Sequence, residues 1–239
     1  IVSSKIKMKD ILTLVYQKFI ESLKEYQKDF DNLIYFITSL DLLQNQCYIA
    51  QKFKYCKPQI EHSTGASYVK AYDLRHALIE RINEEEIYVA NNVIIGSSGE
   101  ENAKDGILLY GTNAVGKTSL IRALGIAVIM AQAGLYVPCS RFEYRPYTNI
   151  FTRILGNDNL FKGLSTFQVE MSELRVILKM ANDRSLILGD ELCSGTEMDS
   201  AISIFVSGLK SLHDLRSSFI FATHLHEINN YEEIIEMTR

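Results

Sequence analysis

Eight consecutive residues constrain this chain more than any other stretch. Gly111-Thr112-Asn113-Ala114-Val115-Gly116-Lys117-Thr118 fits G-x-x-x-x-G-K-[ST], the pattern of a phosphate-binding loop. Ile107-Leu108-Leu109-Tyr110 before it reads as a short buried strand, and residues 119–133 after it read as an apolar helix. Strand, loop and helix in that order are what the motif needs in order to act. Such a loop wraps phosphates in backbone N–H groups, and the helix N-terminus adds partial positive charge. On this reading Gly111, Thr112, Asn113, Ala114, Val115, Gly116, Lys117, Thr118 and Ser119 form the phosphate cradle. Gly116 lets the backbone pass close to the nucleotide, Lys117 reaches the β- and γ-phosphates, and the Thr118 hydroxyl holds Mg²⁺. A Gly-Lys-Thr turn can arise by chance, but the flanking pattern and the second half of the chain argue against it.

That second half alternates strand and helix. Residues 142–154 are rich in β-branched and aromatic types and have room for one or two strands; residues 166–180 and 198–212 read as helices. Leu186-Ile187-Leu188 and Ser218-Phe219-Ile220-Phe221-Ala222 are continuous apolar runs, as in parallel strands buried on both faces. The alternation predicts an α/β fold with a mostly parallel central sheet flanked by helices. Ligands of such sheets sit at the carboxyl ends of the strands. Asp190 and Glu191 follow one such strand and His224 follows the other. An Asp there can hold Mg²⁺, and the adjacent Glu can act as general base on an attacking water. His224 is placed to contact a γ-phosphate or that water. Each has a plainer reading: the acidic pair as helix N-terminal charge, the histidine as a structural side chain. Ser165, before the helix at 166–180, is either an N-cap or a donor to a phosphate supplied from outside the subunit.

The first part of the chain differs in kind. Residues 1–57 contain neither Gly nor Pro, and apolar residues recur at helical spacing through Ile11, Leu12, Val15, Phe19, Leu23, Tyr26, Phe30, Leu33, Ile34, Ile37 and Leu40. One long helix, or two joined near residues 27–29, is expected, either as a hairpin over a core or as the end of a long arm. Pro58 is expected to stop it. Between 59 and 106, short extended pieces are expected at 72–79 and 87–89, a strand at 93–95 and a polar loop at 96–106, making a small β layer at the edge of the larger sheet. The division is therefore a helical segment at 1–58 and an α/β domain at 59–239.

Composition narrows the partners. A net charge of −4 over 239 residues argues against a generally basic nucleic-acid binder. The scattered cysteines Cys47, Cys56, Cys139 and Cys193 form no C-x-x-C pair, which fits reduced thiols inside a cell better than a disulfide frame or zinc site. The most apolar run, 123–137, is too short to span a bilayer. Opening at Ile1 in mid-pattern and without Met, the chain is expected to belong to something longer.

These motifs together resemble a known family. Gly163-Leu164-Ser165-Thr166-Phe167-Gln168-Val169-Glu170-Met171, then Asp190-Glu191, then Ala222-Thr223-His224 are similar in order and spacing to the ATPase domain of the MutS DNA mismatch-repair proteins. Ala133-Gly134-Leu135-Tyr136-Val137-Pro138-Cys139 and Ile150-Phe151-Thr152-Arg153 extend the likeness, which covers roughly residues 70–230. Residues 41–58 resemble the family's core segment, so the helical start would be the base of its lever helices. The resemblance implies a P-loop NTPase of the ABC type that binds ATP or ADP with Mg²⁺ and hydrolyses ATP. It implies a homodimer closing over two nucleotides, each site taking its phosphate loop from one subunit and its signature segment from the other. By position, Asn113 and Lys117 contact phosphates, Thr118 and Asp190 serve Mg²⁺, Glu191 orients water, His224 senses the γ-phosphate and Ser165 reaches the partner's nucleotide. Tyr88 sits where the family stacks an aromatic on adenine; it reads equally well as a core aromatic.

The chain departs from the family's usual Gly-Pro-Asn-Met-Gly-Gly-Lys-Ser loop, and after Glu191 it has Cys193-Ser194-Gly195-Thr196 without the family's arginine. The altered loop keeps the cradle and marks a divergent branch; the missing arginine bears on interface signalling more than on ATP binding. No stretch resembles the mismatch-reading domain, connector, clamp or C-terminal helix-turn-helix, so DNA contact is expected through regions outside these residues. Two alternatives remain: a nucleotide-gated dimerisation module with little turnover, and another ABC-type DNA-associated ATPase with a coiled-coil arm. The latter lacks its Leu-Ser-Gly-Gly signature here.

Overall fold

A computed structural model describes residues 2–82, 88–96, 104–111, 115–153, 166–190, 198–232 and 234. The chain divides into two compact units, Ile1–Ile49 and Ala50–Arg239.

The first unit is helix. α1 (Val2–Leu23) passes through a 3-10 turn (Lys24–Tyr26) into α2 (Gln27–Phe53). Leu23 and Gln27, flanking that turn, both keep right-handed helical dihedrals, so the chain tightens there without folding back. Ile11, Leu12, Val15, Phe19, Leu33, Ile34, Ile37 and Leu40 are each more than half exposed. The apolar stripe is therefore exposed along this unit. α2 ends before Pro58 is reached. Lys54 turns into the left-handed region at φ 53°, and the Arg75 guanidinium donates to the carbonyls of Phe53 and Lys54, both at 3.0 Å. A side chain from elsewhere satisfies the open carbonyls, so the proline is not the stop.

Among the described residues the second unit holds two four-stranded sheets. In chain order its elements are β1 (Gln59–Ile60), β2 (Tyr68–Leu74), α3 (Ile79–Ile82), β3 (Asn91–Gly96), β4 (Gly106–Tyr110), α4 (Lys117–Gln132), β5 (Arg141–Arg145), β6 (Asn149–Arg153), α5 (Thr166–Met180), β7 (Ser185–Asp190), α6 (Met198–Asp214) and β8 (Ser218–Thr223). One sheet, ordered β4-β8-β7-β6, is parallel throughout. The other, ordered β1-β5-β2-β3, is antiparallel except where β1 meets β5. The expected parallel sheet is thus half of the β structure. The expected small β layer is a full second sheet, because β5 crosses from beyond α4 to pair with β2. Extended structure begins at Tyr68, earlier than expected, and ends at Leu74; Ile79 already belongs to α3, and residues 88–90 are irregular. Ile87 and most of the loop at 96–106 lie outside the described residues.

Packing explains the helices. Leu186, Leu188, Ile220 and Ala222 share one buried cluster with α4 and the second sheet. Ile187, Phe219 and Phe221 point to the opposite face and join Leu174, Ile177, Ile202, Phe205 and Leu209 of α5 and α6. Alternate residues of β7 and β8 therefore serve two cores, which is why both strands are continuously apolar. α4 lies between the two sheets, with Ile121, Leu124, Ala127 and Val128 fully buried. A side chain at Gly125 would stand 2.6 Å from Leu188 Cδ1, so the helix can approach β7 this closely only without one. Among the described residues no helix is long and apolar enough to cross a membrane.

Candidate functional site

The parallel register brings four strand ends to one edge. Tyr110 pairs with Thr223, Asp190 with Ala222, and Arg153 with Gly189. The phosphate-loop strand, the Asp190 strand and the His224 strand therefore finish together.

α4 starts immediately beyond this edge. Its N-cap is Gly116, at φ 94°, in the left-handed region where a side chain is strained and glycine is not. A Cβ there would meet nothing within 4 Å, so conformation and not space asks for glycine. The N-cap glycine has no side chain to cap the helix, and the first turn carries no acidic residue. The first-turn N–H groups thus keep their attraction for an anion. Lys117 folds back so that Nζ donates to the carbonyl of Gly111 at 2.6 Å. The lysine spans the loop that its own motif defines. Val115 and Gly116 are exposed, and Ser119 is half-buried in the first turn.

Thr118 Oγ1 donates to Asp190 Oδ2 at 2.5 Å, joining residues 72 apart in the chain. Strand parity makes this contact. Leu186 and Leu188 face α4, and Asp190, two residues on, faces it too. Asp190 is 6% exposed, and a carboxylate so buried needs a donor or a cation. A hydroxyl and a carboxylate oxygen converging at the phosphate end of a helix are hard oxygen donors of the kind Mg²⁺ selects. No group of three or more His, Cys, Asp or Glu able to hold a metal occurs among the described residues.

The remaining expected residues are placed unevenly. His224 is exposed just past β8, on the same edge. Thr223, before it, is buried and its hydroxyl accepts from the Leu225 N–H at 3.1 Å, turning the chain there. Tyr88 is half-buried in irregular chain, its phenol pKa raised first by burial and then by the charge of Glu80. Thr112, Asn113, Ala114, Ser165 and Glu191 lie outside the described residues. His76 is buried, and its Nδ1 accepts from the N–H groups of Leu78 and Ile79 at 3.3 Å each, a local cap. One residue at the edge had no role in the sequence reading. Arg153, ending β6, bridges to Glu170 at 3.3 Å and Glu173 at 3.1 Å on α5. Its signals in the sequence are its place in the family-like run 150–153 and at the end of a strand-forming stretch.

Residues 107–239 match the family described as MutS domain V. The mutS homolog L359 of Acanthamoeba polyphaga mimivirus is 38% identical over 256 aligned residues, covering 92% of this chain and 23% of that protein. The mitochondrial DNA mismatch repair protein mutS homolog of Sarcophyton glaucum is 39% identical over 206 residues, 85% of this chain and 20% of its own length. The DNA mismatch repair protein MutS of Chlorobaculum tepidum is 39% identical over 202 residues, 84% and 22% respectively. The chain spans under a quarter of the length of each of these three relatives. With a domain V match over more than half its length, and relatives named MutS aligned along most of it, this chain belongs to the MutS family.

Proposed function

We propose that this chain binds and hydrolyses ATP with Mg²⁺, as the ABC-type P-loop ATPase core of a MutS-like DNA repair protein. The Thr118–Asp190 contact carries the reading: the motif's hydroxyl and the carboxylate of a distant strand meet beside the helix that would seat the phosphates. Lys117 would exchange the Gly111 carbonyl for phosphate oxygens, neutralising charge that grows on them as the γ-phosphoryl departs. Thr118 and Asp190 would hold Mg²⁺, which when bound shields the β- and γ-oxygens. Glu191 would orient the attacking water and accept its proton, and His224 would meet the γ-phosphate. Water then attacks the γ-phosphorus in line with the β–γ bridging oxygen, and catalysis is mainly positioning. Tyr88 would stack on the adenine.

The site is composite in this reading. Ser165 of a second copy would reach the nucleotide, so ATP closes a homodimer and hydrolysis reopens it. In the whole protein that cycle would change the grip on DNA through the helical arm and through regions outside these residues.

Lys117→Ala should abolish binding of a fluorescent ATP analogue. Glu191→Ala should bind normally and release no phosphate, and wild-type turnover should rise with the square of protein concentration while dimers are scarce. Normal hydrolysis by Glu191→Ala would sink the role given to that carboxylate. Tight binding with negligible wild-type turnover would leave a nucleotide-gated dimerisation module in place of an enzyme.

A further inference from the structure

We propose that Arg153 is a positioning residue that ties the Asp190 edge of the parallel sheet to the first turns of α5, so that ligand bound at Thr118 and Asp190 stiffens the helix that follows Ser165. This rests on the nucleotide reading above.

Arg153 is the last residue of β6 and pairs with Gly189, the residue before Asp190. Its guanidinium leaves the sheet and reaches two carboxylates of α5. Nη2 lies 3.3 Å from Glu170 Oε1 and Nε lies 3.1 Å from Glu173 Oε2. Glu170 and Glu173 are one turn apart and share a helix face, so one guanidinium meets both, hydrogen-bonded to Glu170 and ion-paired with Glu173. Arg153 is 12% exposed and Glu170 1%. An ion pair so deep is a poor device for stability, because apolar residues of the same volume usually do as well. What a guanidinium adds is direction. The buried apolar residues of α5, Leu174 and Ile177, lie further along the helix. Its first turns carry the ionic link at Glu170 and Glu173 beside Met171, which packs partly buried against the same core. A continuous path results: Thr118 to Asp190, Asp190 to its neighbour Gly189, Gly189 across the sheet to Arg153, and Arg153 to Glu170.

Hydrogen exchange of the 166–173 peptide tests this, read by mass spectrometry with and without Mg²⁺ and a non-hydrolysable ATP analogue. In the wild-type chain, nucleotide should slow exchange there about tenfold, within the usual range of site-to-site coupling. In Arg153→Met the slowing should fall below about twofold while analogue affinity stays within about threefold. Arg153→Lys, able to hold one carboxylate at a time, should recover part of the effect. A purely structural arginine would change the baseline exchange and leave the response to nucleotide intact, and that result overturns the proposal. So does a wild-type chain that binds analogue without protecting α5. Absence of analogue binding by the wild-type chain would instead fell the nucleotide reading, and this inference with it. If Arg153→Met does not fold, Glu173→Gln replaces it, since that carboxylate is 45% exposed and its loss cuts one of the two links.

Discussion

Thr118→Val removes one hydroxyl and keeps the side-chain shape, and its cost can be worked from the contact it breaks. Thr118 Oγ1 sits 2.5 Å from Asp190 Oδ2, at the short end for a hydroxyl donating to a carboxylate. A bond to a charged acceptor is worth about 1.5–3 kcal/mol net. Asp190 is 6% exposed, so bulk water cannot replace the lost donor. The nucleotide-free chain should therefore lose about 2 kcal/mol, which for a unit of this size is about 4–8 °C in Tm. Asp190→Asn alone should cost somewhat less, because removing a buried charge returns part of its desolvation penalty. In the double variant the two losses should overlap by about 1.5 kcal/mol. The chain contains no tryptophan, so urea unfolding is best followed by far-UV circular dichroism. Losses that add to within about 0.5 kcal/mol would refute the contact and, with it, the geometry of the site.

Gly116→Ala forces a left-handed residue at φ 94° to carry a side chain, and should cost about 1–2 kcal/mol with weaker analogue binding, read by denaturation and fluorescence titration. Gly125→Ala should cost about 1–3 kcal/mol, because its Cβ falls 2.6 Å from Leu188 Cδ1; part should return in a Leu188→Ala background. The Glu61 carboxyl is held down at about 2 by hydrogen bonds from Ser63, then Tyr68, then Arg145. A lowered folded-state pKa means stability that is present above the ordinary carboxylate pKa and is lost as pH falls toward 2. Glu61→Gln should flatten acid unfolding across that window, and an unchanged acid limb would count against the network.

Much of the fold was legible because it is local. α5 begins at Thr166 and ends at Met180, where the helical pattern begins and ends. β7 and β8 announced themselves as unbroken apolar runs, since strands buried on both faces need no polar alternation. The misreadings share the opposite cause. Pro58 by itself predicts a later end to α2, yet Arg75, 22 residues from Phe53, supplies the cap that lets it end earlier. β5 reads as a strand, but nothing local says that it leaves the parallel sheet to pair with β2. The apolar stripe of α1 and α2 is the same whether it lines a core or faces outward.

The candidate site divides in the same way. Residues 111–118 by themselves carry the phosphate-loop pattern ahead of a helix, because glycine placement and the Lys-Thr pair are properties of neighbours in the chain. The apolar run before Asp190 says only that a buried strand ends there. It does not say which face the aspartate takes, because a strand apolar on every residue carries no parity. Packing decided that: Leu186 and Leu188 turn toward α4, Asp190 follows them, and the carboxylate meets Thr118 instead of the opposite core. Register between parallel strands, the recruitment of β5 and the grip of Arg153 on α5 are likewise bonds between distant segments, settled only when both sides of the sheet are covered.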